Sequence, residues 1–454
     1  MDKLPASLRY NASKLMLREN NLYIRPGGSD NGTAHSIFRF KMPERSLVDL
    51  SSTQLIFDFV ITGLSTSASN WRNAKLPASH KLIKYCRTYV NGQIASGGQS
   101  NHYDILYSAL VKATASEDYC FSRLESGYQE LLGPSDEVGS VNAAPTATTK
   151  SARYVHTDLM GLFRSGQQSI IDTSLWGNLE IEIAFNTPAA ILKMYAGTGN
   201  DATASANVTF QVSNVHLRTN VITQISPIYN QILDLKLKEN GSVIRLPFQN
   251  FVTNVLSGDT ANRIQVNSGC VDSVIFAPLG SAYDSTNCGT RGDIATLTNC
   301  AFPDSRRYTF DCGRDLTNAS DVSLNVSVGS EQYPRQPYNN ALDVAPATTQ
   351  SFWGESADSR NMLYAGLTSE ADAKQSYSRV NFLNKNFVYN QTFSNAKEGY
   401  ASRVLAGLDT SNQSIDIIVN QTNLIPASGF AFVAAMTTSM LVYDTQSQSV
   451  QVIL

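Results

Sequence analysis

Charge is what this sequence is most short of. Asp, Glu, Lys and Arg make up 16% of its 454 residues, against about 25% in an average soluble domain. Ser, Thr, Asn and Gln fill the gap, so the surface is polar but weakly charged, which keeps repulsion small between closely packed copies. An extracellular β-protein would show the same balance. The net charge of -3 leaves too little positive charge to neutralise many phosphates, which excludes genome condensation. The six cysteines (Cys86, Cys120, Cys270, Cys288, Cys300 and Cys312) are too few for a disulfide scaffold in so long a chain, and free thiols are expected. No apolar run reaches the roughly 18 residues of a membrane span. The opening Met1-Asp2-Lys3-Leu4-Pro5 has no signal-peptide core, so the chain is expected to stay in the compartment where it is made.

Catalytic signatures are also missing. The five histidines, His35, His80, His102, His156 and His216, are scattered, and neither H-E-x-x-H nor G-x-S-x-G occurs. His216 lies in a strand pattern and reads as a packed or interface residue. Cys288, Cys300 and Cys312 are evenly spaced, with no C-x-x-C pair and no nearby histidine, which argues against zinc. Gly197-Thr198-Gly199-Asn200-Asp201-Ala202 fits a dinucleotide fingerprint, yet a strand rather than a helix follows it, so it reads as a loop. Arg291-Gly292-Asp293 has the form of a cell-attachment tripeptide, and so short a motif in a Gly-rich loop is most often coincidence. Nine Asn-x-Ser/Thr triplets occur, at Asn11, Asn31, Asn207, Asn240, Asn318, Asn325, Asn390, Asn412 and Asn420. Asn207 and Asn325 fall in or beside strand patterns, where a glycan is awkward. No catalytic, cofactor-binding or metal-binding residue is nominated.

What the sequence has in quantity is alternation of period two. It runs through Phe38–Met42, Leu55–Ile61, Leu179–Phe185 and Val322–Val328, each placing an apolar set on one face as antiparallel sheets require. The apolar phase is even over Val208–Val212 and odd at Val215 and Leu217, so a β-bulge is expected near Ser213-Asn214. Helical spacing is rare. Tyr103, Leu106, Tyr107 and Leu110 form one apolar stripe, and Ile228, Ile232 and Leu235, opened by Ser226-Pro227, form another. Long Ser/Ala/Thr/Gly-rich loops are expected over 134–152, 196–206 and 279–300, as towers or subunit contacts.

The chain echoes itself. Leu179–Phe185, a loop and Val208–Val221 close the first half much as Ile415–Val419, a loop and Phe430–Tyr443 close the second. Gln54–Ile61 and Val271–Phe276 play similar parts earlier in each half. The expected organisation is an N-terminal arm over 1–30, a first β-domain over 31–222, a linker with a short helix over 223–240, and a second β-domain over 241–454. The first 25 residues carry Lys3, Arg9, Lys14, Arg18 and Arg25 against Asp2 and Glu19, a net of 5 − 2 = +3, which fits an arm touching nucleic acid, membrane or acidic neighbours as well as it fits a solvated terminus.

Four stretches, in order, carry a family resemblance. Trp176-Gly177-Asn178-Leu179-Glu180-Ile181-Glu182-Ile183 resembles the small loop and L-x-I-x-I strand of double jelly-roll major capsid proteins. Val212-Ser213-Asn214-Val215-His216-Leu217, with Tyr229, resembles the last strand of their first barrel and the crossover helix. Val326-Ser327-Val328-Gly329 with Tyr333-Pro334-Arg335-Gln336-Pro337, and Gly407-Leu408-Asp409-Thr410, resemble segments of their second barrel. The lineage is the adenovirus-like and PRD1-like one, with polinton-like virus and virophage capsid proteins nearest, and the resemblance spans roughly 35–445.

It implies an all-β fold of two tandem eight-stranded jelly-roll barrels with a few short helices in loops. It also implies a non-enzymatic, cofactor-free structural protein of the virion, assembled inside the host cell. The implied partners are two further copies in a homotrimeric pseudo-hexagonal capsomer, neighbouring capsomers, and penton and minor capsid proteins. An internal membrane or the genome would be met through the N-terminal arm, without sequence-specific nucleic-acid binding. The competing expectation is a carbohydrate-binding β-sandwich adhesin or surface protein, favoured by low charge and polar loops and disfavoured by the missing signal peptide and only 3 Trp. A glycosidase would need two placed carboxylates and stands third.

Overall fold

The computed structural model describes residues 19–67, 72–98, 101–114, 147–157, 159–164, 170–188, 193–196, 208–222, 231, 233, 235, 238, 243–280, 310–353, 382–383, 386–393, 407–411, 416–444 and 449–453. The alternating segments are strands, close to the bounds expected. Twelve belong to the first half: β1 (Glu19–Ile24), β2 (Gly32–Thr33), β3 (Ile37–Lys41), β4 (Leu47–Thr62), β5 (Arg72–Lys75), β6 (Ile83–Val90), β7 (Gln93–Ser96), β8 (Lys150–His156), β9 (Ile170–Asp172), β10 (Leu179–Phe185), β11 (Lys193–Ala196) and β12 (Thr209–Ile222). The second half contributes β13 (Val243–Ser257), β14 (Ala261–Gln265), β15 (Val271–Leu279), β16 (Ser323–Val328), β17 (Glu331–Tyr338), β18 (Tyr389–Thr392), β19 (Asp416–Thr422), β20 (Phe430–Asp444) and β21 (Ser449–Ile453).

The same interleaving builds both halves. One sheet runs β1-β12-β4-β8 and faces a sheet β3-β10-β6-β7; in the second half β13-β20-β15-β18 faces β14-β19-β16-β17. Taking β1 with β2 as a divided first strand, each half places strands one, eight, three and six in one sheet and two, seven, four and five in the other. That order is the jelly roll, so the fold is two jelly rolls in tandem. A ribbon of β11 on β5 and the strand β21 on β20 are additions. Glu19–Ile24 lies inside the stretch expected as an arm, yet it is strand β1, antiparallel to β12 from Glu19↔Ile222 to Ile24↔Leu217.

The inward residues meet as the alternation requires. Phe40, Phe57, Phe59, Ile181, Ile183, Phe185 and Phe210 fill the first barrel, and Val274, Phe276, Leu324, Val326, Ile417, Val419 and Val433 fill the second. The bulge falls where the phase changes: the β12–β4 register shifts between Ser213 and His216, and Asn214 takes φ 53°, a left-handed conformation Asn accepts more readily than most residues.

Helix α1 (Tyr103–Thr114) follows the first apolar stripe. The second stripe needs correction. Residues 231, 233, 235 and 238 are helical, but Leu233 is buried and Leu235 is exposed, so the buried face differs from the one spaced on Leu235. Ile228 and Ile232 lie outside the described residues. Lys150–Ala152, expected in a loop, begin β8. A helix at Val344–Trp353 was not anticipated.

Candidate assembly surfaces

Strands β15 and β20 are buried on both faces. Val274 and Phe276, with Ala431, Val433 and Ala435, point into the second barrel, while Ile275, Ala277 and Leu279, with Phe432, Ala434 and Met436, join the core cluster of the first. A strand covered on both sides loses its alternation, and the runs Val274–Leu279 and Phe430–Met436 are uninterrupted apolar sequence for that reason. The outer face of one second-barrel sheet is therefore the joint between the barrels. From the first barrel, β7 and the turn Gly161–Arg164 lie against β13. Tyr103 of α1 stands 6.4 Å from Phe251, ring centre to ring centre, and Trp176 stands 6.2 Å from Tyr443.

Asn250 of β13 fixes the register of this joint. Its Oδ1 accepts from Gly97 N at 3.1 Å and from Phe251 N at 2.8 Å. Its Nδ2 donates to Ala95 O at 3.3 Å and to Ser439 Oγ at 3.2 Å. The side-chain amide thus completes the edge of β7 as a partner strand would, inside an apolar contact where an unmet backbone group would be costly.

Behind the joint lies a buried polar network. Ser79 Oγ is 3.1 Å from His156 Nδ1, and Tyr103 OH is 3.0 Å from His156 Nε2. His80 Nε2 is 3.1 Å from Ser108 Oγ, which donates to Asp104 O. The Tyr107 ring stacks on His80 at 5.0 Å and packs against His156 at 5.3 Å. Both histidines are fully buried, so they anchor α1, and with it Tyr103, rather than face a substrate. Residues so far apart in sequence gave no signal of meeting.

Each motif of the resemblance has a local physical cause. Gly177 takes φ 77°, and a Cβ there would collide with Asn91 Oδ1. That oxygen accepts from Asn178 N at 2.8 Å, and Asn91 Nδ2 donates to Trp176 O at 3.1 Å. Gly407 lets its chain approach β15, since a Cβ would lie 2.5 Å from Val271 O. Thr410 then donates to Val266 O and accepts from Ser268 N, tying two loops together. Pro334 and Pro337 sit in β17, a sheet edge, where missing N–H groups discourage further strand addition.

The outward sheet of the first barrel carries one nearly buried charge. Glu182 accepts from Arg39 Nε at 2.6 Å and from Tyr85 OH at 3.0 Å, with Arg87 at 3.9 Å. Burial, then the bond to Glu182, pushes the Tyr85 phenol up to about 12. In the second barrel, Asp272 accepts from Thr438 Oγ1 at 2.7 Å and from the Cys270 thiol at 3.5 Å, and burial raises its carboxyl. Burial likewise raises the thiols of Cys86 and Cys312 to about 12 and that of Cys270 to about 11.

Cys86, Cys270 and Cys312 are free and buried; Cys120, Cys288 and Cys300 lie outside the described residues. So do Gly197–Ala202, Arg291-Gly292-Asp293 and the basic residues Lys3, Arg9, Lys14 and Arg18. His216 is packed against Tyr23, 5.5 Å between ring centres, as its strand pattern implied. Asn325 is buried and bonded to Asn420 and Gln332, a poor glycan acceptor in the folded chain. Among the described residues no three His, Cys, Asp or Glu side chains gather as metal ligands.

No family model matches this chain, and no curated protein sequence does. Solved structures do. The PBCV-1 virus capsid is similar with a TM-score of 0.56 at 9% identity, over 96% of this chain and 97% of the other. The Faustovirus major capsid protein is similar with a TM-score of 0.53 at 10% identity, over 94% of this chain and 90% of the other. At such identities the likeness concerns the fold: this chain has the double jelly roll of viral major capsid proteins.

Proposed function

We propose that this chain, folded as the double jelly roll, is a major capsid protein. It works as a building block of an icosahedral DNA-virus shell rather than as an enzyme, and it resides in the virion after assembly inside the host cell. Three copies form a pseudo-hexagonal capsomer, which meets neighbouring capsomers and penton and minor capsid proteins. A contact with genome or an internal membrane is assigned to the basic N-terminal residues Lys3, Arg9, Lys14 and Arg18. The barrels, 19–222 and 243–453, are the domains of this reading, with the intervening residues as linker.

The observation that carries the reading is the end-to-end likeness to capsid proteins, which takes in both barrels and nearly the whole of either chain. A barrel-to-barrel joint buried on apolar faces supports it, because a tile must be stiff. Mass in solution with negative-stain imaging is the test. A stable particle of three 49.5 kDa chains with a hexagonal outline is expected. A monomer that binds sugars would overturn the reading.

A further inference from the structure

An outer strand carries a row of unpaired backbone N–H and C=O groups, which another chain can join unless something guards it. The eight strands that end the four barrel sheets are all guarded. Glu19 in β1, Lys41 in β3, Arg153 in β8 and Arg263 in β14 bring charge to an edge, and Pro247 in β13 and Pro334 in β17 each remove a donor. β7 and β18 have neither charge nor Pro, and a side chain caps each of them instead. Asn250 serves Ala95 O and Gly97 N at β7, and Thr348 accepts from Asn390 N and donates to Val388 O at β18. β21 departs from this pattern. It pairs with β20 alone, from Met440↔Ile453 to Asp444↔Ser449, and its sequence Ser-Val-Gln-Val-Ile has no charge and no Pro. Among the described residues no side chain caps 450–453. Val450 and Val452 pack on the core at the barrel joint, so the strand is fixed in place before anything joins it.

We propose that β21 is the docking edge for an extended segment of a different protein, uncharged and apolar at alternate residues, which adds as the next strand. Backbone pairing gives such a contact its affinity, and alternate side chains give it specificity. Apolar side chains for the incoming strand to cover are present: Ile453 is 52% exposed, and β7, which lies against β21, leaves Ile94 44% exposed. A second copy of the chain fits this edge poorly. Its sheet-ending strands are guarded as above, and its own β21 could pair across a two-fold axis only antiparallel, turning the second chain end for end. In the shell proposed above every copy presents the same end outward, so this one step rests on that reading.

The probe is a fluorescent peptide of sequence Ser-Val-Gln-Val-Ile, blocked at both ends and N-methylated at alternate amides so that it offers one edge and does not stack on itself. It should bind the full chain saturably, as read by anisotropy, and slow amide exchange within 449–453 at least tenfold. Gln451→Lys, which puts a charge on the edge, should weaken binding at least tenfold, while Thr422→Lys, exposed on the interior strand β19, should not. Absence of saturable binding, equal loss in both variants, or protection that falls outside β21 overturns the proposal. Protection of 449–453 that rises with protein concentration in the absence of peptide assigns the edge to a second copy and overturns it too. Exchange on the wild type decides the matter even where a variant fails to fold. Sedimentation reads the trimer separately, so a chain that never trimerises refutes the capsomer and leaves the peptide result to judge the edge.

Discussion

Replacing Asn250 by Ala should loosen the two barrels without unfolding either. The substitution removes four hydrogen bonds, two accepted and two donated. Gly97 N–H and Ala95 C=O, both in buried residues, lose the partner that crosses the joint. A buried backbone group left unmet costs about 1–3 kcal/mol. Ser439 can reorient its hydroxyl and Phe251 is a neighbour in sequence, so we expect a total of about 2–4 kcal/mol. Heat is a blunt probe of that loss: at about 2.1 cal/mol/K per residue, 454 residues unfolding together shift by only about 1 °C per kcal/mol.

Amide exchange is sharper, because the loss acts on local opening of the joint. Gly97 N–H should exchange roughly 30- to 700-fold faster at about 1.4 kcal/mol per decade, while amides of β10 and β19 stay as they were. Asn250→Asp makes the sign testable. Burial and the facing Ala95 O raise the folded pKa of the new carboxyl above its unfolded value of about 3.9, outweighing the Gly97 and Phe251 N–H groups that favour the charged form. Stability from the neutral acid is then present below that value and lost as pH rises through the folded pKa. The Asp variant should be nearest the wild type in acid and weakest at neutral pH. Unchanged exchange at Gly97 in Asn250→Ala would refute the reasoning.

Three further outcomes follow from the geometry. Cys86, Cys270 and Cys312, with thiols raised to about 12, 11 and 12, should resist a thiol reagent at pH 8 in the native protein and react on unfolding, as peptide mass spectrometry would read; rapid native labelling contradicts their burial. Gly177→Ala should cost about 2–4 kcal/mol in urea unfolding, from the positive φ and from the displaced Asn91, and a neutral result would mean the loop has an alternative packing. Asp272→Asn should gain stability over the wild type as pH rises from 4 to 8, because burial raises the folded carboxyl's pKa and the wild type loses stability through that range; a pH-independent difference refutes it.

The strands were legible because half-buried sheets write their two faces into alternate residues, and even the bulge at Ser213-Asn214 left its mark as a phase change. Other features left no such mark. β4 begins at Leu47, eight residues before the clear alternation at Leu55, and passes through Ser51-Ser52, which carry no apolar signal. The helix Val344–Trp353 contains Pro346 and two adjacent threonines, poor helix formers whose placement comes from tertiary contact: Thr348 donates to Val388 O at 2.9 Å. Ser79 and His156 meet only because β8 returns beside the turn Ser79–Leu82. Asn250 looks like any polar residue in a strand, and its role exists only once two barrels face each other.

The two barrels share one topology and differ in the chemistry of one outer face. On the second barrel that face is Ile275, Ala277, Leu279, Phe432, Ala434 and Met436; on the first it is largely Gln211, Ser213, Arg218, Gln54, Asp58 and Arg153. A contact made within one chain forms during folding at high effective concentration, so its apolar surface is never long in water. In the assembly proposed for this chain a contact made between chains must wait, and a face kept polar around a few aromatic and aliphatic side chains stays soluble meanwhile. The low charge of the whole sequence fits that proposal, since a face that is polar but weakly charged loses little to repulsion when copies close on each other. Making the first barrel's face as apolar as the second's, for example by Gln211→Leu with Ser213→Ala and Arg218→Met, should therefore leave each barrel folded and cause association before orderly assembly, seen as polydisperse scattering at concentrations where the wild type gives one species. A variant that remains monodisperse would show that polarity of this face is not what holds assembly in check.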